Sequence, residues 1–155
     1  MLPLRVFIVS SSDELNGLTE SSVRLGLEGI KAEVVLASES EILSKIVEVD
    51  CDIIHIVKGG FIVLSDFYKA LLLMIEETGY DYVCSHCQSV WNGGAKIVDS
   101  VEDINPSQFL IHQWVAKELG PPATIEEMFS RIIVEYKGEE FKGVLGVRLL
   151  EAKDI

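Results

Sequence analysis

Apolar runs separated by mixed stretches set the first picture of this chain. Leu4 to Val9 is a short apolar run that ends in Ser10-Ser11-Ser12, and it predicts a buried first strand. A helix is predicted over Thr19 to Glu28, with Val23, Leu27 and Ile30 on one side and Gly29 near its end. Glu33 to Ala37 predicts a second strand. Ser38 and Glu41 have capping-box spacing ahead of a helical stripe of Ile42, Leu43, Ile46 and Val47. Ile53 to Val57 is apolar apart from His55, as expected of a strand covered on both faces.

The next helix has the clearest signal. Ser65 can cap it, and Phe67, Ala70, Leu71, Met74 and Ile75 keep helical spacing up to Gly79. Tyr82 to Ser85 predicts a fourth strand, and Ala95 to Val98 another after the Asn92-Gly93-Gly94 turn. Asn105-Pro106 reads as a cap and a first-turn proline, opening a helix that runs to Leu119 and stops at Gly120-Pro121-Pro122. Ile132 to Tyr136 and Phe141 to Leu150 are predicted to pair as strands around Lys137-Gly138-Glu139-Glu140.

Strands that alternate with helices imply parallel units with right-handed crossovers. The predicted class is α/β, a three-layer sandwich with a mainly parallel sheet and antiparallel C-terminal strands. With 155 residues and a hydrophobic fraction of 48%, the chain fits one domain spanning residues 1–155. Residues 1–100 would form the core, and 101–155 a helix plus a β hairpin. In such sheets ligands sit beyond the carboxyl ends of the strands. Those ends are predicted at Ser10 to Ser12, Ala37 to Ser40, Lys58 to Gly60 and Ser85 to Gln88.

Charge and composition narrow the partners. A formal net charge of -12 argues against nucleic acid or an anionic membrane surface. No stretch reaches the roughly 18 apolar residues of a membrane span, and no signal-peptide pattern opens the chain, so a cytoplasmic protein is expected. Three cysteines are an odd set, and reduced thiols are the default. A mean hydropathy of +0.31 alongside that much charge leads us to expect a homo-oligomer.

The stretch Asp52 to Ser85 carries the most specific pattern. An apolar strand meets Lys58-Gly59-Gly60, an amphipathic helix follows after Ser65-Asp66-Phe67, and a further strand starts at Tyr82. That layout resembles the central segment of nucleotide-sugar glycosyltransferases of the GT-A fold, in which such a strand delivers an acidic metal-binding motif at its end. The resemblance covers about the first hundred residues in layout. It implies a nucleotide-sugar ligand, with Ser10, Ser11, Ser12, Asp13 and Glu39 facing the base and ribose. The family's paired aspartates, aligned by strand and helix, fall on Lys58 and Gly60, and neither can ligate a hard cation. Lys58 can instead offset phosphate charge, while Gly59 and Gly60 let the backbone approach a ligand; the alternative is a plain tight turn. The resemblance also points to Glu102 and Asp103 as a catalytic carboxylate pair, although acids near a helix start also suit its dipole.

Other chemistry is thin. Cys84-Ser85-His86-Cys87 has the spacing of half a zinc site, but Cys51, His55 and His112 supply no second pair, so no metal is assigned and Cys84 is read as core. His86 stays a candidate ligand contact at a strand end, and His55 a hydrogen-bonded core residue. No dinucleotide fingerprint, phosphate loop or nucleophile elbow is present, so no cofactor is assigned. Two function classes remain: a small nucleotide-sugar-binding protein that is metal-independent or inactive, and a non-enzymatic flavodoxin- or receiver-like module acting through oligomerisation or protein binding.

Overall fold

A computed structural model describes residues 3–98, 105–120 and 123–150. Among the described residues, eight strands form one sheet in the order β2 (Ala32–Ala37), β1 (Leu4–Val9), β3 (Ile53–Lys58), β7 (Phe109–His112), β5 (Tyr82–Trp91), β8 (Gly138–Leu149) and β4 (Phe61–Val63), with β6 (Gly94–Val98) paired to β5. The first half follows the expected rhythm: β1 (Leu4–Val9), α1 (Asp13–Gly26), β2 (Ala32–Ala37), α2 (Glu39–Lys45) and β3 (Ile53–Lys58). β1 pairs in parallel with both β2 and β3. Val9 lies opposite Ala37 on one side and Lys58 on the other, so three strands end at one level. That level ending gathers the predicted strand-end residues in one place.

Helices cover both faces of the sheet, as the three-layer expectation requires. On one face β4 (Phe61–Val63) and α3 (Phe67–Thr78) join α1 around Val23, Phe67, Tyr68, Leu71 and Leu72. On the other, α2 packs with α4 (Gln113–Leu119) and α5 (Ile125–Glu135) around Ile42, Ile46, Val115, Phe129 and Ile132. Among the described residues, no helix is long and apolar enough to cross a membrane.

The C-terminal half departs from the expected elements. The predicted helix from Asn105 to Leu119 is split. Asn105 caps a single 3-10 turn (Pro106–Gln108), then β7 (Phe109–His112) inserts antiparallel between β3 and β5, and only then does α4 begin. Phe109, Leu110 and Ile111 are all buried there, and burial on two faces overrides the local capping signal. The expected strand at Ile132 to Tyr136 lies mostly inside α5, so the C-terminal hairpin is absent. Ile125, Met128, Phe129 and Ile132 form a buried helical stripe behind the Thr124 cap, which outweighs the β-branched run Ile132-Ile133-Val134.

One long strand, β8 (Gly138–Leu149), takes the place of that hairpin. It runs parallel to β5 (Tyr82–Trp91) through two register shifts, and over Gly146 to Arg148 its other edge pairs antiparallel with β4. Bulges of this kind bend a strand, which is how β8 reaches both partners. β5 continues well past the predicted end at Ser85 and turns into β6 (Gly94–Val98), so Ser85 to Gln88 is mid-strand. α1 begins at Asp13 rather than Thr19, capped by Ser12, and Asp66 rather than Ser65 precedes α3.

His55 is the polar exception inside β3, and its hydrogen bonds fix its tautomer. Nε2 lies 2.8 Å from the Ser107 carbonyl, which can only accept, so Nε2 carries the proton. The Tyr68 hydroxyl then donates to Nδ1 at 2.8 Å. The ring of Tyr68 in turn packs on Gly26, where an added Cβ would come within 3.1 Å. Full burial drives the imidazole pKa down from 6.5 to about 4, against the raising effect of the Ser107 carbonyl. The folded protein therefore holds His55 neutral where the unfolded chain takes up a proton. Stability from this group is complete above pH 6.5 and is lost as pH falls from 6.5 toward 4. At about 1.4 kcal/mol per unit the loss is on the order of 3 kcal/mol. Urea unfolding at a series of pH values should show that decline, and His55→Gln should flatten it. An equal slope in both proteins would contradict the assignment.

Candidate functional site

A cavity of ≈ 610 Å³ opens beyond the level ends of β1, β2 and β3. That is within the range of roughly 300–1,000 Å³ that holds small ligands. Its wall brings together five of the residues singled out from the sequence: Ser11, Glu39, Lys58, Gly59 and Gly60. The β7 side contributes Asn105, Pro106 and Ser107, α5 contributes Ile125 and Glu126, and β8 contributes Arg148 and Leu149.

The turn Lys58-Gly59-Gly60 is held from four directions. The Lys58 N–H donates to Ser107 Oγ at 3.0 Å, and the Gly59 N–H to the Val9 carbonyl at 3.3 Å. The Gly60 N–H donates to Thr19 Oγ1 at 2.8 Å, while its carbonyl accepts from the Leu149 N–H at 3.0 Å. Gly60 has φ +102°, a conformation open to glycine and strained for other residues. At Gly59 the reason is space: an added Cβ would lie 2.7 Å from Asn16 Oδ1 and 2.8 Å from Ser11 Cβ.

Asn16 locks the neighbouring loop. Its Oδ1 accepts from the Ser11 N–H at 2.8 Å, and its Nδ2 donates to Ser10 Oγ and the Ser11 carbonyl, each at 3.4 Å. Ser12 is occupied as the α1 cap, accepting from the Leu15 N–H at 3.3 Å. Ser10, Ser12 and Asp13 flank the cavity wall without lining it. Glu39 opens α2 beside the cap made by Ser38 and Glu41. Thus the loop after β1 is shaped mainly by its own hydrogen bonds.

His86 lies elsewhere. Because β5 runs on, its side chain is mid-strand and meets Glu140 on β8, Nε2 to Oε1 at 2.5 Å, outside the cavity wall. Cys84 and Cys87 are buried, and no thiol is in a disulfide. Cys51 is half-buried, and desolvation raises its thiol to about 11, the opposite of a reactive thiolate. Glu102 and Asp103 fall outside the described residues.

The metal of the GT-A fold has no fit at the end of β3. Lys58 is a cation with no lone pair to offer, and the two glycines bring no side-chain ligand. The cavity's carboxylates, Glu39 and Glu126, come from different helices. Among the described residues, no group of three or more His, Cys, Asp or Glu could hold a metal ion. Sequence reasoning missed Asn16, Thr19, Ser107, Glu126 and Arg148. Asn16 and Thr19 are polar positions on the buried face of α1, legible once that helix is started at Ser12. Arg148 is a cation within the apolar run Val144 to Leu150, a signal the sequence carried.

No protein-family model matches the chain, and no curated protein matches it in sequence. Solved structures do match in shape. S. aureus TarS, residues 1–349, in complex with UDP, superposes with a TM-score of 0.71 at 8% identity. The match covers 99% of this chain and 62% of that one, so the chain spans about three-fifths of that TarS segment. The inositol-1-phosphate CTP transferase from T. maritima matches at 0.54 and 10% identity, over 98% of this chain and 91% of that one. A glycosyltransferase involved in glycosylation of the major capsid of PBCV-1 matches at 0.53 and 11%, over 94% and 91%. Identities this low show the fold alone. The chain has a GT-A-like nucleotide-diphospho-sugar transferase fold, as the Asp52 to Ser85 layout implied. Its antiparallel β7 between β3 and β5 departs from the all-parallel order of flavodoxin and receiver domains.

The turn's dependence on its clamps is testable by stability. Asn16→Ala leaves the Ser11 N–H without its side-chain acceptor and should cost about 1–3 kcal/mol in urea unfolding. Gly60→Ala should cost a similar amount, roughly 1–3 kcal/mol, through its left-handed backbone. Losses under about 0.5 kcal/mol in both would show that the turn is not held as described.

Proposed function

We propose that this chain binds a nucleoside-diphosphate sugar in the cavity beyond β1, β2 and β3, and that it does so without a divalent cation. One observation carries the reading. In a fold shared with proteins solved with UDP and UDP-GlcNAc, Lys58-Gly59-Gly60 lies in the wall of a ligand-sized cavity where the fold's metal acids are expected. Lys58 is exposed at that wall and meets phosphate as a compact positive charge. Ser11 and Glu39 offer polar contacts to ribose hydroxyls, and the two glycines allow close backbone approach. For transfer chemistry the reading names carboxylates: Glu126 in the first turn of α5, and Glu102 and Asp103, which precede the cavity-lining Asn105. We place the protein in the reducing cytoplasm, where three cysteines stay as thiols.

Calorimetric titration with UDP, UDP-GlcNAc and the matching GDP and CDP compounds tests this directly. Binding should survive EDTA, with added manganese changing the affinity by less than about threefold, under 1 kcal/mol. Lys58→Met should weaken binding roughly 10- to 150-fold, since a hydrogen bond to a charged group is worth about 1.5–3 kcal/mol. No binding of any nucleotide at millimolar concentration, or binding only with manganese, would sink the proposal.

A further inference from the structure

Arg148 is a second cation in the same cavity, supplied by the opposite end of the chain and absent from the strand-end argument that located Lys58. Its backbone is fixed on both sides. It lies opposite Ser89 across β5 and β8, and opposite Phe61 across β4 and β8. Its guanidinium is fixed as well: Nε donates to Ser89 Oγ at 3.2 Å, and Ser89 is only 2% exposed. The next residue, Leu149, donates its N–H to the Gly60 carbonyl, so the strand carrying Arg148 is bonded directly to the turn that follows Lys58. Two positive side chains, one exposed and the other half-buried and held by Ser89, therefore flank a single glycine turn in a cavity wall.

We propose that Arg148, oriented by Ser89, is the residue that makes this cavity select a diphosphate over a monophosphate or a bare nucleoside. The inference rests on the nucleotide-binding reading above and sharpens it. A diphosphate presents two anionic groups, and the cavity presents two cations on two strands. A guanidinium offers a planar fork of donors that matches phosphate oxygens and stays charged at every working pH. Anchoring its Nε fixes the plane of that fork, so less freedom is lost on binding than a mobile surface arginine would lose. Lys58 then neutralises the second phosphate as a point charge. Ser89 acts through Arg148 and is a positioning residue.

The experiment compares uridine, UMP and UDP, and in parallel guanosine, GMP and GDP, on the full chain and its Arg148→Met, Arg148→Lys and Ser89→Ala variants. The wild type should bind the diphosphate well above the monophosphate. Arg148→Met should weaken the diphosphate by 10-fold or more and leave the nucleoside within twofold. Arg148→Lys should restore part of that loss. Ser89→Ala should lower diphosphate affinity several-fold, and in the double variant it should add nothing to Arg148→Met. Protection of Arg148 from phenylglyoxal by UDP or GDP, mapped by peptide mass on the wild type, gives a readout that does not depend on any variant folding. A diphosphate preference that persists in Arg148→Met, or Arg148 modified equally fast with and without nucleotide, overturns the inference while leaving nucleotide binding intact. Failure of the wild type to bind any of the six compounds takes down the underlying reading and this inference with it.

Discussion

The close approach of the turn after β3 to the loop after β1 is the constraint on which the site depends. Gly59 lies so near Asn16 and Ser11 that no side chain can be placed there. Gly60 turns the chain through a left-handed conformation between Thr19 on one side and Leu149 on the other. These contacts join the first strand, the first helix, the third strand and the last strand at one point. Each is a polar group satisfied by a neighbour, so loosening one leaves another unpaired in partly buried surroundings. The turn is therefore a junction of four elements, and its glycines are dictated by packing before any ligand is considered.

Below that junction, a buried polar column ties the cavity to the core. Tyr68 on α3, His55 on β3 and Ser107 in the 3-10 turn are linked by two hydrogen bonds, and the Ser107 hydroxyl accepts from the Lys58 N–H. The 3-10 turn is held at its other end by Asn105, whose side chain accepts from the Ser107 N–H. The cavity wall contributed by residues 105–107 is thus set by a histidine two side chains deep. An apolar residue at position 55 would fill the volume and leave that wall without its anchor.

The first half of the fold and most of the Lys58 side of the site were legible in the sequence. Strands buried on both faces read as apolar runs, and the helices between them carry local caps such as Ser38 with Glu41. Once strand ends are known, Ser11, Glu39, Lys58, Gly59 and Gly60 follow from the rule for parallel sheets. The second half depends on pairing between distant segments. Phe109 to His112 is preceded by helix-start signals and followed by a helix, and only insertion between β3 and β5 makes it a strand. His86 was misplaced for the related reason that β5 runs to Trp91, its length set by β6 and β8 rather than by local pattern. At α5 the stripe and the Thr124 cap were present, but a β-branched run at its end suggested strand instead.

The hydrogen bond from the Leu149 N–H to the Gly60 carbonyl has a consequence for when the cavity comes into being during folding. The β1–β3 unit can assemble early, from contacts between neighbouring segments, but one wall is missing until the last strand arrives. β8 must pair in parallel with β5 along its length and antiparallel with β4 over Gly146 to Arg148, and such long-range closure comes late and opens first. A chain caught before that step has its turn and its lysine but no enclosed space. Completion of the sheet and enclosure of the cavity are then the same event.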